Sequence, residues 1–194
     1  LESKKEAVRT LSVSEYSAFK KYLLSNIDLT KAGILLLMET GIKPGELCAL
    51  KKRDIDFENK LVHVEYTVQR LQTEESKTEV LITRLNGGNA VRDIPLSEEL
   101  LKLLFPLYES LDFDSFILTG TEKNTEVRAL SYRLKNCLAQ CKLDKNISFN
   151  ILRDSYIMRS LDSGENLSVI AALMGYSSPE QVKERYDECQ MALT

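Results

Sequence analysis

Between Leu50 and Ser97 this chain stops patterning as helix and patterns as strand, and that one interruption decides which folds are open to it. Leu61-Val62-His63-Val64-Glu65-Tyr66, Val80-Leu81-Ile82-Thr83 and Val91-Arg92-Asp93-Ile94 alternate or cluster β-forming residues, with Asn86-Gly87-Gly88-Asn89 as the turn before the last. They predict a small three-stranded antiparallel sheet. On both sides the punctuation is helical. Ser12 and Glu15 have capping-box spacing and open a helix running towards Ser25. Leu29 to Thr40 is a strongly apolar helix stopped by Gly41, and Pro44 suits the first turn of a short helix through Leu50. After the sheet, helices are expected at about Ser97–Leu111, Val127–Cys141, Ile151–Ser163 (closed by Gly164) and Leu167–Met174. A last helix opens at Ser178-Pro179-Glu180-Gln181, where a capping Ser, a Pro at the first position and a Gln at the third agree. The expected class is α+β, mainly α-helical, with one sheet inserted among the helices.

At 194 residues, 43% hydrophobic and 28% charged, the chain has the size and composition of one globular domain over residues 1–194. No run is long enough for a membrane span, and the N-terminus lacks the apolar stretch of a signal peptide, so a cytoplasmic protein without membrane contact is expected. Leu1 opens abruptly on a charged segment, as expected of the C-terminal part of a longer protein. Cys48, Cys137, Cys141 and Cys189 are scattered without a CxxC pair, which points to reduced, mostly buried thiols, with no metal and no cofactor expected. A net charge of −3 argues against strong, indiscriminate affinity for a polyanion, because such affinity rests on neutralising phosphates. Local basic patches remain at Lys51-Lys52-Arg53, on the Arg128/Arg133/Lys135 helix and at Lys142/Lys145.

Five segments in order carry a resemblance. They are Thr40-Gly41-Ile42-Lys43-Pro44-Gly45-Glu46-Leu47-Cys48-Ala49-Leu50 before the sheet, Arg92-Asp93-Ile94-Pro95-Leu96 after it, and Phe116-Ile117-Leu118-Thr119-Gly120 in the middle; then Phe149 to Ser160, and Met174-Gly175-Tyr176-Ser177-Ser178 leading to Arg185-Tyr186. Together they resemble the catalytic domain of tyrosine recombinases, the phage integrase family, and especially the integrases of conjugative transposons in gram-positive bacteria. The resemblance implies double-stranded DNA as partner, a role in DNA integration and recombination, and chemistry without metal. A tyrosine attacks a phosphodiester, forming a 3′-phosphotyrosyl intermediate and releasing a 5′-hydroxyl. Two arginines hold the non-bridging oxygens with their planar forks, a lysine on the turn of the sheet protonates the leaving oxygen, and histidines complete the pocket.

Carried over position by position, most of that set is altered. The first arginine falls on Lys43, which keeps the charge and loses the fork. The turn lysine falls at Asn86 or Gly87. The histidine before the second arginine is Asn150, the one after it is Asp154, and the later His or Trp is Tyr176. Only Arg153 and Tyr186 stand as the family has them. The implied catalytic positions are therefore Tyr186, Arg153, Lys43, Asn150 and Tyr176, and the implied DNA contacts are Lys43, Arg128 and Arg153. Losing one oxyanion stabiliser costs ~10²–10³ in rate and losing a general acid ~10²–10⁴, so cleavage is expected to be absent or very slow.

Plainer structural readings stand beside these. Val182, Tyr186, Cys189 and Leu193 form a helical stripe that would make Tyr186 a core residue. Arg153 shares a helix face with Tyr156 and Ile157 and would pair with Glu46. His63, the single histidine, reads as an ordinary sheet residue with a hydrogen-bonded or exposed ring. Three functions follow: a DNA-binding recombinase-fold domain with a degenerate site, a working recombinase acting through Tyr186, or a protein-interaction module. A homo-oligomer through the last helix is a further expectation.

Overall fold

The computed structural model describes residues 9–72, 78–87 and 90–192. Three helices come first, α1 (Val13–Leu24), α2 (Leu29–Thr40) and α3 (Pro44–Ala49). Five short strands follow, β1 (Ile55–Asp56), β2 (Leu61–Val64), β3 (Tyr66–Gln72), β4 (Thr78–Arg84) and β5 (Arg92–Pro95). Helices then resume as α4 (Glu98–Tyr108), α5 (Val127–Gln140), α6 (Phe149–Asp162), α7 (Leu167–Met174) and α8 (Pro179–Met191). The main core is built around α2, whose residues from Ala32 to Met38 are all buried, so that this helix is apolar on every side. A second, smaller cluster of Ile157, Ile170, Ala171, Met174 and Val182 ties α6, α7 and α8 together.

Most helix starts follow the capping chemistry, and two of them differ from the expected detail. Ser12 accepts from the Glu15 amide at 3.2 Å, and the Glu15 carboxylate accepts from the Ser12 amide at 2.9 Å. Helix α6 begins at Phe149, earlier than its apolar pattern suggests, because Ser148 caps it through the Ile151 amide. At α8, Ser178 occupies the cap position without a side-chain bond, and Gln181 instead accepts from the amide and hydroxyl of Ser177, each at 3.0 Å.

The β region divides differently from the expected grouping. A three-stranded antiparallel sheet does form, in the order β1-β2-β5, with Val62 opposite both Ile55 and Ile94. Val80–Thr83 is not part of it: β4 pairs with β3 as a separate antiparallel ribbon, with Val68 opposite Ile82. Burial explains the split. Ile55, Val62, Val64 and Ile94 give the first sheet a continuous inward face, whereas Leu81 and Ile82 of β4 are 41% and 44% exposed. The chain leaves strand geometry at Glu65, which divides the Leu61–Tyr66 run between two strands. Of the expected turn, Gly88 and Asn89 lie outside the described residues, as does Leu193 of the α8 stripe. Among the described residues no helix is long and apolar enough to cross a membrane.

Candidate functional site

The site grows from the ends of two helices. Gly41 closes α2 and Gly175 closes α7, each with φ of +68°, a conformation that costs glycine no steric penalty. These caps turn unpaired carbonyls outward, and helix C-termini favour cations. Three successive carbonyls at the end of α7 each receive one cation. The Leu173 carbonyl accepts from Arg92 Nε at 2.6 Å, Met174 from Arg153 Nη2 at 3.5 Å and Gly175 from Lys43 Nζ at 3.3 Å. Arg153 also donates through Nε to the Gly41 carbonyl at 2.8 Å, and its guanidinium lies 5.8 Å from the centre of the Tyr176 ring. Residues from α2, α3, β5, α6 and α7 therefore converge on one spot.

The carboxylate in this cluster has a different owner from the one expected. Glu46, fully buried, accepts from Arg92 Nη1 at 3.0 Å and Nη2 at 2.7 Å, and its Oε2 also takes the Lys43 amide at 3.0 Å. The expected Arg153–Glu46 pair is thus replaced by Arg92–Glu46, because β5 delivers both terminal nitrogens of a guanidinium to the carboxylate while the α6 arginine is drawn to backbone carbonyls. Lys43 and Arg153 are left with no carboxylate bond among the described residues. Burial pushes the Lys43 ammonium below its ordinary pKa, Glu46 opposes this, and the neighbouring Arg153 and Arg92 add to it. Burial likewise lowers Arg153, against the pull of Tyr176, Glu46 and Asp154.

Lys43, Arg153 and Tyr176 are accordingly brought together. Asn150 sits exposed on the first turn of α6, on the same face as Arg153 one turn on. Tyr186 has other partners: its hydroxyl donates to Asp162 Oδ1 at 3.2 Å and accepts from Gln190 Nε2 at 2.9 Å. Val182 and Cys189 of the same stripe are buried, while Tyr186 is half-exposed at its edge. Asp154 is buried and paired two-pronged with Arg185, at 2.8 Å to Nε and 2.5 Å to Nη2. That bond holds Arg185 well above the ordinary guanidinium range, with burial opposing. Arg128 lies exposed on the first turn of α5, along a cleft shared with Val68, Arg70 and Val80 of the ribbon.

Arg92 and Arg185 are the two functional neighbours that sequence reasoning left out. Arg92 stood in plain view within Arg92-Asp93-Ile94-Pro95-Leu96, and a strand residue preceding a Pro-terminated motif gives no hint of which carboxylate it reaches. The Lys51-Lys52-Arg53 patch is spent internally: Lys51 and Arg53 both reach Asp114, and Lys52 Nζ donates to the carbonyls of Glu109 and Leu111. His63 is the hydrogen-bonded sheet residue expected, 2.6 Å from Asp93 Oδ1 across the β2–β5 pair.

Known proteins resemble this chain in sequence and fold. The chain is 27% identical over 149 residues to tyrosine recombinase XerA of Thermococcus onnurineus, covering 74% of this chain and 45% of the relative. It is 26% identical over 189 residues to a XerC-like tyrosine recombinase of Caldanaerobacter subterraneus, covering 88% and 48%. The chain thus spans about half the length of these relatives. The fold matches the integrase of transposon Tn1549, solved in complex with transposon right-end DNA, with a TM-score of 0.76 at 19% identity over 96% of this chain and 64% of that one. It matches the XerA recombinase crystal structure with a TM-score of 0.72 at 18% identity, over 98% and 63%. The family model described as the phage integrase family matches residues 3–192, and with this fold and these relatives the chain belongs to that family and has the fold of a tyrosine recombinase catalytic domain.

Proposed function

We propose that this chain is a DNA-binding domain of the integrase type whose strand-exchange chemistry is impaired. The observation that carries the proposal is the row of cations on the Leu173, Met174 and Gly175 carbonyls, in which, among the described residues, only Arg92 has a carboxylate partner. Lys43 and Arg153 place two positive charges side by side with donors to spare, and an anion is the group that satisfies both. A DNA phosphate fits that requirement, and the recombinases of this fold solved with bound DNA support it.

The flanking surface suits a duplex backbone. On α5, Arg128, Tyr132 and Lys135 follow one exposed stripe, with Tyr132 68% exposed. Lys135 also lines a cavity with Lys145, Asn146 and Ser148 at the start of α6, where Asp144 is already paired with Arg9 and the two lysines supply the remaining charge. Such a footprint is compatible with a net charge of −3, because steering depends on the local field.

The chemistry is weakened where protons move. Asp154 is committed to Arg185, Asn150 carries no titratable proton, and Lys43 is a point charge where a rigid fork gives the best hold on a phosphate gaining charge. Tyr186 and Arg153 keep their places, which favours a second reading in which slow cleavage survives. Binding of a fluorescent duplex at rising salt tests the first claim: a fall in affinity of ~10³ or more between about 50 and 200 mM salt is the mark of several phosphate contacts. No binding at low salt overturns it. A nicked duplex that traps the covalent product tests the second claim. An adduct lost on Tyr186→Phe establishes cleavage, and its absence on a bound duplex supports impairment.

A further inference from the structure

Two adjacent pairs of residues face each other across α6 and α8: Arg153 next to Asp154, and Arg185 next to Tyr186. The second member of the first pair grips the first member of the second. Asp154, 4% exposed, takes Arg185 Nε at 2.8 Å and Nη2 at 2.5 Å, and Arg185 Nη1 is further steadied by Glu188 at 2.7 Å. Beyond this pair, α8 is held by modest apolar packing against α6 and α7, to which Val182 and the half-buried Tyr186 ring contribute. Of the residues of α8 only Val182 and Cys189 are buried, and Val182 belongs to the small satellite cluster rather than to the main core. With the grip closed, the Tyr186 hydroxyl is turned to Asp162 at the end of α6 and to Gln190 one turn along α8. Neither partner belongs to the cluster of Lys43, Arg92 and Arg153.

We propose that the Asp154–Arg185 ion pair is a positioning latch that docks α8 on its own α6 with the Tyr186 hydroxyl parked on Asp162. The two-pronged geometry matters because it fixes both the distance and the rotation of α8, and so selects which groups Tyr186 reaches. Opening the latch frees the helix to turn, and the hydroxyl then loses Asp162. Asp154 thus acts through Arg185 and touches no substrate. The functional meaning of parking rests on Tyr186 being the nucleophile of the proposed reaction, whereas the latch is measurable without DNA.

The test is O-acetylation of tyrosines by N-acetylimidazole, mapped by mass spectrometry on the intact chain. Tyr132, 68% exposed, reports reagent access, and the fully buried Tyr108 reports that the fold is retained. Asp154→Asn and Arg185→Gln each raise the Tyr186 rate at least ~10-fold relative to Tyr132, the change expected when a docked helix opens locally, and raise amide exchange across residues 179–191. Asp162→Asn raises the Tyr186 rate without raising that exchange, which separates parking from docking. Arg185→Lys, which keeps the charge and loses the fork, falls between wild type and Arg185→Gln. If Asp154→Asn unfolds the chain, as acetylated Tyr108 reveals, the Arg185 series decides. Unchanged Tyr186 reactivity and exchange in Arg185→Gln, with Tyr108 protected, overturn the latch. Failure of DNA binding leaves this readout untouched, so the two proposals fail separately.

Discussion

Removing the Glu46 carboxylate probes the site through its most buried charge. The Glu46 and Arg92 side chains are 1% and 6% exposed, and the carboxylate answers two guanidinium nitrogens and the Lys43 amide at the start of α3. In Glu46→Ala the Arg92 charge stays buried, with the Leu173 and Ala90 carbonyls as its remaining partners among the described residues. Stripping one partner from a buried pair costs about 3–5 kcal/mol, against about 1 kcal/mol for the lost helix-start contact taken alone. The ion pair therefore dominates. For a chain of this length such a loss lowers the melting midpoint by about 6–20 °C. Replacing both partners in Glu46→Leu/Arg92→Met removes the stranded charge and recovers most of that loss, since an apolar pair of similar volume escapes the desolvation cost. Thermal and urea unfolding of wild type, the two single variants and the double variant form the cycle. A Glu46→Ala midpoint within about 2 °C of wild type, a loss below ~1 kcal/mol, refutes the reasoning.

Three further outcomes are expected. Burial lifts the Cys48 thiol to about 12, so it keeps its proton in the fold after the unfolded thiol has ionised. The stability from this group is full below the unfolded value of 9.0 and is lost as pH rises towards about 12, and Cys48→Ala flattens urea-unfolding stability against pH by ~1.4 kcal/mol per pH unit over that window. Gly41→Ala forces φ +68° on a residue with a Cβ only 2.8 Å from Tyr156 Cδ1 and 3.0 Å from Met174 Cε; a loss of about 1–3 kcal/mol is expected in unfolding experiments, and a neutral result removes the packing argument. Lys135→Ala, if α5 meets phosphates, lowers the slope of log affinity against log salt by about 1, read by fluorescence anisotropy, and an unchanged slope places the duplex elsewhere.

What was legible in the sequence was what local chemistry dictates. The capping box at Ser12, the stop at Gly41, the start at Pro44 and the start at Pro179 are each decided within a turn of chain, and the structure has all four. The sheet partners were not legible, because β-formers announce a strand without naming its neighbour; Val80–Thr83 found Tyr66–Gln72 because the sheet beside it was already filled by Ile55, Val62 and Ile94. Within the site, the convergence of Lys43, Arg153 and Tyr176 was readable from motif order. The exchange of Glu46 from Arg153 to Arg92 and the pairing of Asp154 with Arg185 were not, because each is decided by which side chain reaches which carboxylate once the elements have packed, and motif order does not specify that. A missing histidine at position 154 reads as a loss in one dimension and as an ion pair in three.

Binding and weakened chemistry are read together in one experiment: a fluorescent nicked duplex is incubated with the protein at low salt and read first as bound complex and then, after denaturation, as covalent adduct. The expected result is a salt-sensitive complex, weakened by Arg153→Gln, and essentially no adduct on the timescale of binding. Rapid, near-complete adduct formation that vanishes in Tyr186→Phe contradicts the impaired chemistry, and the absence of any complex at low salt contradicts the DNA-binding role.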